Sequence, residues 1–233
     1  MRKNRISRRN FIKRGLAASA AFGMPAIIPQ SAFGANAPGN RVNVGLLGCG
    51  NIGHYHKNWL KRWDDVRIVA VCDAYKSRRI AMAEELNAHY GASNVTRVYD
   101  DFREVLAHPD VDAVFIGAHD NWHTPMAIAA ARNGKDIYCQ KPLTLDLEQA
   151  KILRTAVNEN KRIFQFGTQY RSESSFPKMV ELVRNGYIGA LQRIDVWSRN
   201  VLNDTKQYHV APYGSTEEVP VPEDLDFNMW QGP

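Results

Sequence analysis

Three glycines with the spacing Gly48-x-Gly50-x-x-Gly53 follow an apolar run from Val42 to Leu47. Glycine at the first position permits a tight turn, glycine at the second lets a diphosphate approach the backbone, and glycine at the third lets the next helix pack closely. The backbone N–H groups and the dipole of a helix that begins here favour a bound anion. Because such spacing also occurs in ordinary turns, the prediction of a nucleotide site depends on the rest of the chain.

A carboxylate lies at the distance from this loop at which a nucleotide ribose is recognised. Asp73 follows a second apolar run, Val66 to Cys72, and lies 20 residues after Gly53. At the end of a second strand, a carboxylate accepts hydrogen bonds from the adenosine ribose and repels a 2′-phosphate, so NAD is favoured over NADP. Three nearby cations keep NADP open as the alternative, although a solvated helix face explains them as well: Lys76, Arg78 and Arg79.

A later strand end carries two histidines. An apolar run that ends at Ile116 leads into residues 117–123, after which Thr124-Pro125 predicts the start of a helix. Because ligands of open parallel sheets bind at the carboxyl ends of the strands, we expect His123 to contact cofactor or substrate, with a structural role as the alternative. For His119 we expect a structural role, with such a contact as the alternative.

A lysine follows the next predicted strand. The run from Asp136 to Cys139 ends in Gln140-Lys141-Pro142, which places Lys141 at the same edge of the sheet. A lysine there can neutralise a phosphate, hydrogen-bond a sugar hydroxyl, or act as a base if burial lowers its pKa. An ordinary surface lysine is the alternative.

An alternation of strands and helices supplies the framework that these residues need. Near-continuous apolar runs, typical of strands covered on both faces, predict strands over 42–47, 66–72, 97–99, 111–116, 136–139 and 162–167. Helices are predicted over 52–63, 81–90, 146–159 and 175–185, and from residues 101 and 124. Asp146 and Gln149 predict a capping box. The pattern indicates an α/β fold with a doubly wound parallel Rossmann sheet.

The charges are concentrated at the N-terminus. The chain has 30 basic and 24 acidic residues, and residues 1–35 hold seven of the basic residues and none of the acidic ones. The remainder is close to neutral, so it lacks the basic surface that nucleic-acid binding requires. We therefore expect no nucleic-acid partner.

The N-terminal stretch has the layout of a targeting segment. A cationic stretch precedes an apolar run from Gly15 to Ile28, which Gly23 and Pro25 interrupt and which is too short for a membrane span. The sequence Ser7-Arg8-Arg9-Asn10-Phe11-Ile12-Lys13 resembles the twin-arginine export signal. We predict export to the periplasm by the twin-arginine machinery, with a cytosolic basic tail as the alternative.

The chain has three cysteines: Cys49, Cys72 and Cys139. An odd number cannot pair completely, and their spacing is not that of metal ligands. Each lies at or beside the end of a predicted strand. We expect small buried residues near a cofactor crevice, and no metal site.

Taken together, the motifs resemble the glucose-fructose oxidoreductase, inositol dehydrogenase and rhizopine-catabolism (Gfo/Idh/MocA) family over about residues 41–233. The resemblance rests on the glycine loop, Asp73, Asn121-Trp122-His123-Thr124-Pro125, Gln140-Lys141-Pro142 and Gly167-Thr168-Gln169-Tyr170-Arg171. It implies a Rossmann domain followed by an α/β domain with an open antiparallel sheet. It also implies tightly held NAD(P), redox chemistry at a carbinol of a sugar or cyclitol, and a homo-oligomer at full length.

The resemblance further assigns roles to individual residues. The residues that would contact the diphosphate are Gly48, Gly50, Asn51, Ile52 and Gly53, and the residue that would contact the ribose is Asp73. The other residues that would contact the cofactor are Asn121, His123, Gln140 and Lys141, with His123 and Gln140 on the nicotinamide side. Lys141 and His123 are the candidate catalytic residues, Lys141 lying beside the reacting carbon.

The chain departs from the family pattern next to the lysine. The usual Glu-Lys-Pro of the family is Gln140-Lys141-Pro142 here. Without the neighbouring carboxylate, Lys141 should lose its proton more readily if it is buried. This change either tunes the site or weakens it.

A second departure is the short C-terminal part. After the Rossmann pattern we predict only one more strand, Leu191 to Ser198, and one strand cannot make a sheet. We therefore expect a fragment with a targeting segment at 1–37, a Rossmann domain at 38–167 and a partial C-terminal domain at 168–233. Three aromatic residues there either stack on a saccharide or pack in the partial domain: Tyr208, His209 and Trp230.

Three functional hypotheses follow. The first is an exported NAD-dependent oxidoreductase that acts on a sugar, a polyol or a sugar derivative. The second is a glycosidase that oxidises, eliminates and re-reduces its substrate with retained NAD, which export favours because free NAD is not expected outside the cytoplasm. The third is a nucleotide-bound sugar-binding protein without turnover, which Gln140 and the short chain favour.

Overall fold

A parallel β-sheet forms the centre of the molecule. The computed structural model describes residues 40–195 and 218–233. The strands are β1 (Val42–Leu47), β2 (Val66–Cys72), β3 (Arg97–Tyr99), β4 (Ala113–Ile116), β5 (Asp136–Gln140) and β6 (Phe164–Gly167). They form a six-stranded sheet in the order β3-β2-β1-β4-β5-β6, and every pairing is parallel. The strand order reverses between β1 and β4, which confirms the predicted doubly wound Rossmann sheet.

Helices make the crossovers between the strands. They are α1 (Asn51–Leu60), α2 (Lys76–Tyr90), α3 (Phe102–Ala107), α4 (Asp120–Arg132) and α5 (Leu147–Glu159). Three short elements are described after the sheet: a 3₁₀ turn (Gln169–Arg171), α6 (Ser175–Arg184) and α7 (Phe227–Gln231). Within the described ranges, no helix combines the length and the apolar character that a bilayer crossing requires.

Apolar side chains cover the sheet on both faces. Helices α3, α4 and α5 contribute buried residues to one cluster, and α2 contributes Met82 and Leu86 to the other. Leu46 and Leu47 are adjacent on β1 and fully buried, and they belong to opposite clusters. This alternation explains why the central strands are apolar at successive positions, as a sheet covered on both sides requires.

Helix α4 begins earlier than predicted. Thr124-Pro125 predicts its start, but the helix runs from Asp120, with His119 as its N-cap residue. Pro125 is the sixth residue of this helix, where it removes the hydrogen bond to the Asn121 carbonyl oxygen, and the acidic Asp120 suits the positive end of the helix dipole. The predicted start was therefore wrong, and His123 lies inside the helix rather than in the loop before it.

Two helix boundaries also differ, while a predicted cap is present. Helix α1 ends at Leu60 rather than Trp63, and α2 begins at Lys76 rather than Ala81. At α5, Asp146 Oδ1 accepts a hydrogen bond from the Gln149 backbone N–H at 2.8 Å, which confirms the N-cap. The Gln149 side chain accepts from the backbone N–H of Leu145 at 3.3 Å instead of returning to Asp146.

The chain after the sheet differs in part from the prediction. Helix α6 ends before Asn185-Gly186 as expected, with Gly186 at a φ of 76°. Residues 191–195 do not form the predicted strand, and 196–198 lie outside the described residues. A strand requires a hydrogen-bonded neighbour, and no described segment pairs with 191–195.

The last described segment packs against the Rossmann sheet domain. Leu225 forms an antiparallel bridge with Tyr75, and Met229 packs against the core. The domain boundary between 167 and 168 stays a prediction. The targeting segment at 1–37, Tyr208 and His209 lie outside the described residues.

Candidate functional site

The glycine loop between β1 and α1 is held by backbone contacts that leave no room for side chains at two positions. Gly48 has a φ of +102°, and a Cβ there would lie 2.5 Å from the Gly117 carbonyl oxygen. A Cβ at Gly53 would collide with the carbonyl oxygen of Gly48. At Gly50 the nearest atom to a Cβ is 3.9 Å away, on the Arg78 guanidinium. The loop is therefore tight at its two ends and open in the middle, which fits a diphosphate lying against Gly50.

The start of α1 adds donors to this loop. Gly50 is the N-cap residue, and no side chain caps the helix. The first N–H groups of an α-helix have no acceptor within the helix, so those of Asn51, Ile52 and Gly53 suit a diphosphate together with the helix dipole. Asn51 and Ile52 line the same cavity as Gly48 and Gly50.

Asp73 is oriented toward the glycine loop by backbone donors. Its Oδ2 accepts a hydrogen bond from the Cys49 N–H at 2.6 Å, and its Oδ1 accepts from the Tyr75 N–H at 2.8 Å. A carboxylate has about four acceptor positions, so capacity for ribose hydroxyls remains. The structure therefore places the predicted ribose contact directly beside the predicted diphosphate contact.

The cations near Asp73 have different surroundings. Arg79 donates to the Asp73 carbonyl oxygen at 2.8 Å and lies 3.9 Å from Asp100, so it supports the loop. Arg78 lies over the Tyr75 ring, 4.1 Å from its centroid, and lines the cavity. Arg78 is thus the cation placed to contact a nucleotide.

A cavity of about 190 Å³ joins these residues. It lies at the carboxyl ends of β1, β2 and β4 and is lined by the glycine loop, Asp73, Arg78, residues 117–119 and Trp122. Met229 and Trp230 of α7 complete the lining. The volume is below the roughly 300–1,000 Å³ of ordinary ligand pockets, so only part of a dinucleotide fits inside it.

A larger groove at the edge of the sheet is a poorer candidate. It measures about 660 Å³, and its lining includes Asn87, Thr96 and Arg97. It lies between α2 and β3 and includes none of the predicted site residues. We therefore assign the functional site to the smaller cavity at the strand ends.

The two histidines that follow β4 occupy different environments. His119 lines the cavity, where its ring packs edge-on against Trp230 with centroids 5.1 Å apart. His123 is 1% exposed, and its Nδ1 and Nε2 lie 2.7 Å and 3.1 Å from the carbonyl oxygens of Pro142 and Ala118. This geometry makes His123 a tether between α4 and the loop after β5, and its predicted contact with cofactor or substrate stays a prediction.

Asn121 faces the C-terminal segment. Its Nδ2 donates to the Gln231 carbonyl oxygen at 2.6 Å. The amide therefore holds α7 beside the cavity. Direct contact of Asn121 with a cofactor stays a prediction.

Gln140 belongs to a buried polar group that no motif in the sequence indicates. Its Nε2 lies 2.7 Å from His56 Nε2, and Gln169 Nε2 lies 3.4 Å from the same ring nitrogen. Burial lowers the pKa of His56, whose ring packs on Phe115 with centroids 4.4 Å apart. A neutral His56 with its proton on Nδ1 accepts from the Gln140 amide, so glutamine at this position matches a neutral histidine.

Lys141 lies beyond this buried group at the carboxyl end of β5. Its backbone N–H donates to Gln140 Oε1 at 3.3 Å, and its side chain is exposed. The expected easier loss of the Lys141 proton was conditional on burial, and that condition is not met. The peptide bond between Lys141 and Pro142 is cis.

The cysteines are buried free thiols, as expected. Burial, reinforced by the Asp73 charge, raises the pKa of Cys49 and Cys72, and burial raises the pKa of Cys139 to about 12. All three thiols are therefore protonated and unreactive near neutral pH. Across the described part of the chain, no group of three or more suitable side chains is arranged to hold a metal ion.

The structure thus brings together some of the predicted site residues and separates others. The cavity is lined by Gly48, Gly50, Asn51, Ile52, Asp73 and His119. The other predicted residues lie outside its lining: Gly53, Asn121, His123, Gln140 and Lys141. The sequence gives no sign of His56 or Met229, because tertiary packing brings them in and no local spacing pattern identifies them. Trp230, predicted either to stack on a saccharide or to pack in the partial domain, lines the cavity.

Comparisons with known proteins agree with this geometry. A family described as "Oxidoreductase family, NAD-binding Rossmann fold" (Gfo/Idh/MocA) matches residues 42–168. The chain is 31% identical over 159 residues to myo-inositol 2-dehydrogenase of Thermotoga maritima, covering 68% of this chain and 46% of that protein. It is 34% identical over 151 residues to scyllo-inositol 2-dehydrogenase (NAD(+)) of Bacillus subtilis, covering 64% of this chain and 42% of that protein.

Solved structures show the same similarity. Myo-inositol 2-dehydrogenase from Lactobacillus plantarum superposes with a TM-score of 0.58 at 27% identity, over 65% of this chain and 43% of that one. Scyllo-inositol dehydrogenase from Lactobacillus casei, with bound NAD(H) and scyllo-inositol, gives a TM-score of 0.57 at 25% identity, over 64% of this chain and 42% of that one.

The family match covers the strands and helices of the sheet domain, residues 42–168, and the chain spans less than half the length of the curated relatives named above. The matched residues contain the glycine loop, Asp73 and the strand ends that form the cavity. The chain belongs to the Gfo/Idh/MocA oxidoreductase family, with an NAD-binding Rossmann domain.

Proposed function

We propose that the protein is an NAD-dependent oxidoreductase that acts on a carbinol of a polyol or sugar, with a cyclitol as the favoured substrate class. The observation that carries the proposal is the cavity in which the glycine loop and Asp73 lie side by side at the strand ends. The similarity to inositol 2-dehydrogenases supports the substrate class.

Two groups of residues bind different parts of the cofactor. The glycine loop and the start of α1 bind the diphosphate, and Asp73 accepts hydrogen bonds from the adenosine ribose. Bound NAD supplies the hydride acceptor for oxidation of the carbinol. The Asp73 charge disfavours a 2′-phosphate, which is why NAD rather than NADP is proposed.

Lys141 is the residue proposed to take the proton of the substrate hydroxyl. Its exposed side chain lies at the end of β5, on the edge of the sheet that also carries the glycine loop. There the neutral amine acts as general base, accepting the proton of the substrate hydroxyl as the carbinol is oxidised and then releasing that proton to solvent. Gln140 Oε1 holds the backbone of this lysine by accepting from its N–H.

Assays of the chain with NAD and a panel of inositols and sugars test the proposal. We expect reduced nicotinamide to form with at least one cyclitol, and we expect Lys141→Met to bind NAD normally while turnover falls about 10²–10⁴-fold. Lys151→Met, at an exposed position on α5, is the matched control and should keep full activity. NAD binding without oxidation of any polyol would contradict the proposed activity.

We further propose export by the twin-arginine route, on the basis of Ser7-Arg8-Arg9-Asn10-Phe11-Ile12-Lys13. This route carries folded proteins, so the nucleotide can be bound before export. Fractionation of expressing bacteria should place the protein in the periplasm, and the Arg8→Lys/Arg9→Lys double variant in the cytoplasm. Equal distribution of the two proteins would contradict this route.

The export motif also favours a second candidate function. A glycosidase that oxidises and then re-reduces its substrate regenerates its own NAD, which suits a compartment where free NAD is not expected. Incubation with aryl glycosides and no added NAD separates the two functions. Sustained release of the aryl alcohol supports the glycosidase, and a single stoichiometric reduction of bound cofactor without cleavage contradicts it.

A further inference from the structure

Part of the nucleotide cavity is built by a segment far along the chain. Met229 and Trp230 line the same cavity as the glycine loop and Asp73. We define residues 222–232, which contain both, as the C-terminal strap. Its position is explained by contacts on both sides of the crevice.

One end of the C-terminal strap is bound at the start of α2. The Asp224 carbonyl oxygen accepts from the Lys76 N–H at 2.8 Å, and the Asp224 carboxylate accepts from Ser77 Oγ at 2.5 Å. The N-cap residue Tyr75 makes no side-chain cap of its own. Asp224 therefore caps α2 from a distant part of the chain and places its charge at the positive end of the helix dipole.

The other end is bound at the start of α4. Trp122 Nε1 donates to the Met229 carbonyl oxygen at 2.8 Å, and Asn121 Nδ2 donates to the Gln231 carbonyl oxygen at 2.6 Å. Gly232 has a φ of +72°, and a Cβ there would lie 2.6 Å from Trp122 Nε1. The strap thus spans the crevice from the end of β2 to the end of β4, and glycine is required where it docks.

Trp230 occupies the middle of this span. Its ring packs between His119, with centroids 5.1 Å apart, and Phe227, with centroids 5.7 Å apart, and it remains 37% exposed. The cavity under it holds about 190 Å³, so it can enclose only a part of a dinucleotide. Asp73 fixes which part, because the ribose that it binds carries the adenine.

We propose that Trp230 contacts the adenosine half of the bound dinucleotide and that the C-terminal strap retains the cofactor. This inference depends on the NAD site of the proposed function and adds a residue to it. Strap contacts at α2 and α4 hold the indole ring in place before the nucleotide binds. The contact between Trp230 and the nucleotide therefore acts mainly by slowing dissociation of the nucleotide.

Binding of NAD and of ADP-ribose to the 233-residue chain tests the inference by titration calorimetry and stopped-flow dissociation. We expect Trp230→Ala to weaken both ligands about 10-fold, the loss expected for one base–aromatic contact, mostly through faster dissociation. ADP-ribose lacks only the nicotinamide ring, so an equal loss for both ligands excludes a contact with that ring, and an equal loss for AMP locates the contact on the adenosine half. Trp63→Ala, which removes a tryptophan that is 54% exposed in the turn between α1 and β2, is the matched control and should bind like the parent.

A second variant tests the strap without removing the aromatic ring. Gly232→Ala collides with Trp122 and should also speed dissociation, while thermal melting without ligand shows whether the sheet remains folded. Unchanged affinity in both variants, or tighter binding that reveals a strap competing with the nucleotide, would overturn the inference. Failure of the parent chain to bind NAD would instead overturn the proposed function on which it depends.

Discussion

The two sides of the proposed active site are built in different ways. The side formed by the glycine loop and Asp73 is fixed by backbone packing, since a Cβ at Gly48 or Gly53 meets carbonyl groups. The side at Gln140-Lys141 consists of a buried amide paired with His56 and an exposed lysine. Substitutions on the first side should damage fold and binding together, whereas those on the second should separate stability from chemistry.

The largest effect on stability is expected from Gly48→Ala. The alanine would combine a φ of +102° with a Cβ 2.5 Å from a backbone oxygen that cannot move away cheaply. We expect a loss of about 3 kcal/mol or more in the free energy of unfolding, together with loss of NAD binding. Denaturant unfolding and calorimetry measure the two quantities.

Gly134→Ala is the control that separates the cost of a positive φ from the cost of the collision. Gly134 has a φ of +74°, but nothing lies within 4 Å of its Cβ position. Its replacement should cost only about 1 kcal/mol. Equal costs at the two glycines would show that collision with Gly117 is not what makes the loop intolerant.

An intermediate, pH-dependent effect is expected from Gln140→Glu. Burial holds the pKa of His56 below its ordinary value, so the unfolded parent chain takes up a proton before the folded one and stability falls as the pH drops below about 6.5. A carboxylate at position 140 would raise the pKa of His56. The folded chain would then take up the proton before the unfolded one, and protonation of His56 would stabilise the fold. From about pH 8 to about pH 6 the variant should gain stability relative to the parent, by up to about 1.4 kcal/mol per pH unit.

Unfolding by denaturant at a series of pH values measures this difference. Gln165→Glu introduces the same charge at an exposed position on β6 and serves as the control. A difference from the parent that does not change with pH, or one that the control reproduces, would refute the pairing of His56 with residue 140.

The smallest effect on stability is expected from Lys141→Met. The side chain is exposed, so the free energy of unfolding should change by less than about 0.5 kcal/mol while turnover is lost. Unfolding curves and rate measurements on the same preparation check both halves. A large loss of stability would show that the lysine supports the loop, and would remove the contrast between the two sides.

Local patterns in the sequence predicted the sheet and one side of the site. Runs of apolar residues and the alternation with helices predicted all six strands, and β1, β2 and β3 have the predicted bounds. Strands β4 and β6 begin two residues later than predicted, and β5 ends one residue later. The distance between the glycine loop and Asp73 predicted that the carboxylate lies beside the loop, because a βαβ unit fixes that spacing. Both the apolar runs and this spacing are set by residues that are close together in the sequence, within single βαβ units.

The remainder depends on contacts between distant residues. A proline that usually marks the first turn misplaced the start of α4, so His123 was expected in a loop although it is buried in the helix. His56 reaches Gln140 only because α1 crosses to the end of β5. The strap lies beside the cavity because Asp224 and Gln231 meet α2 and α4, and no periodicity or motif in residues 222–232 indicates that contact.

The capping of α2 by Asp224 has a consequence for the timing of synthesis. The ribosome releases the six strands in order, and a domain of this kind begins to fold while later residues are still being added. Until residue 224 emerges, the first turn of α2 lacks this cap, and until residue 230 emerges the cavity lacks its indole. A nascent chain that has been synthesised as far as β6 can therefore have a complete sheet, while its nucleotide cavity still lacks the side that Trp230 forms.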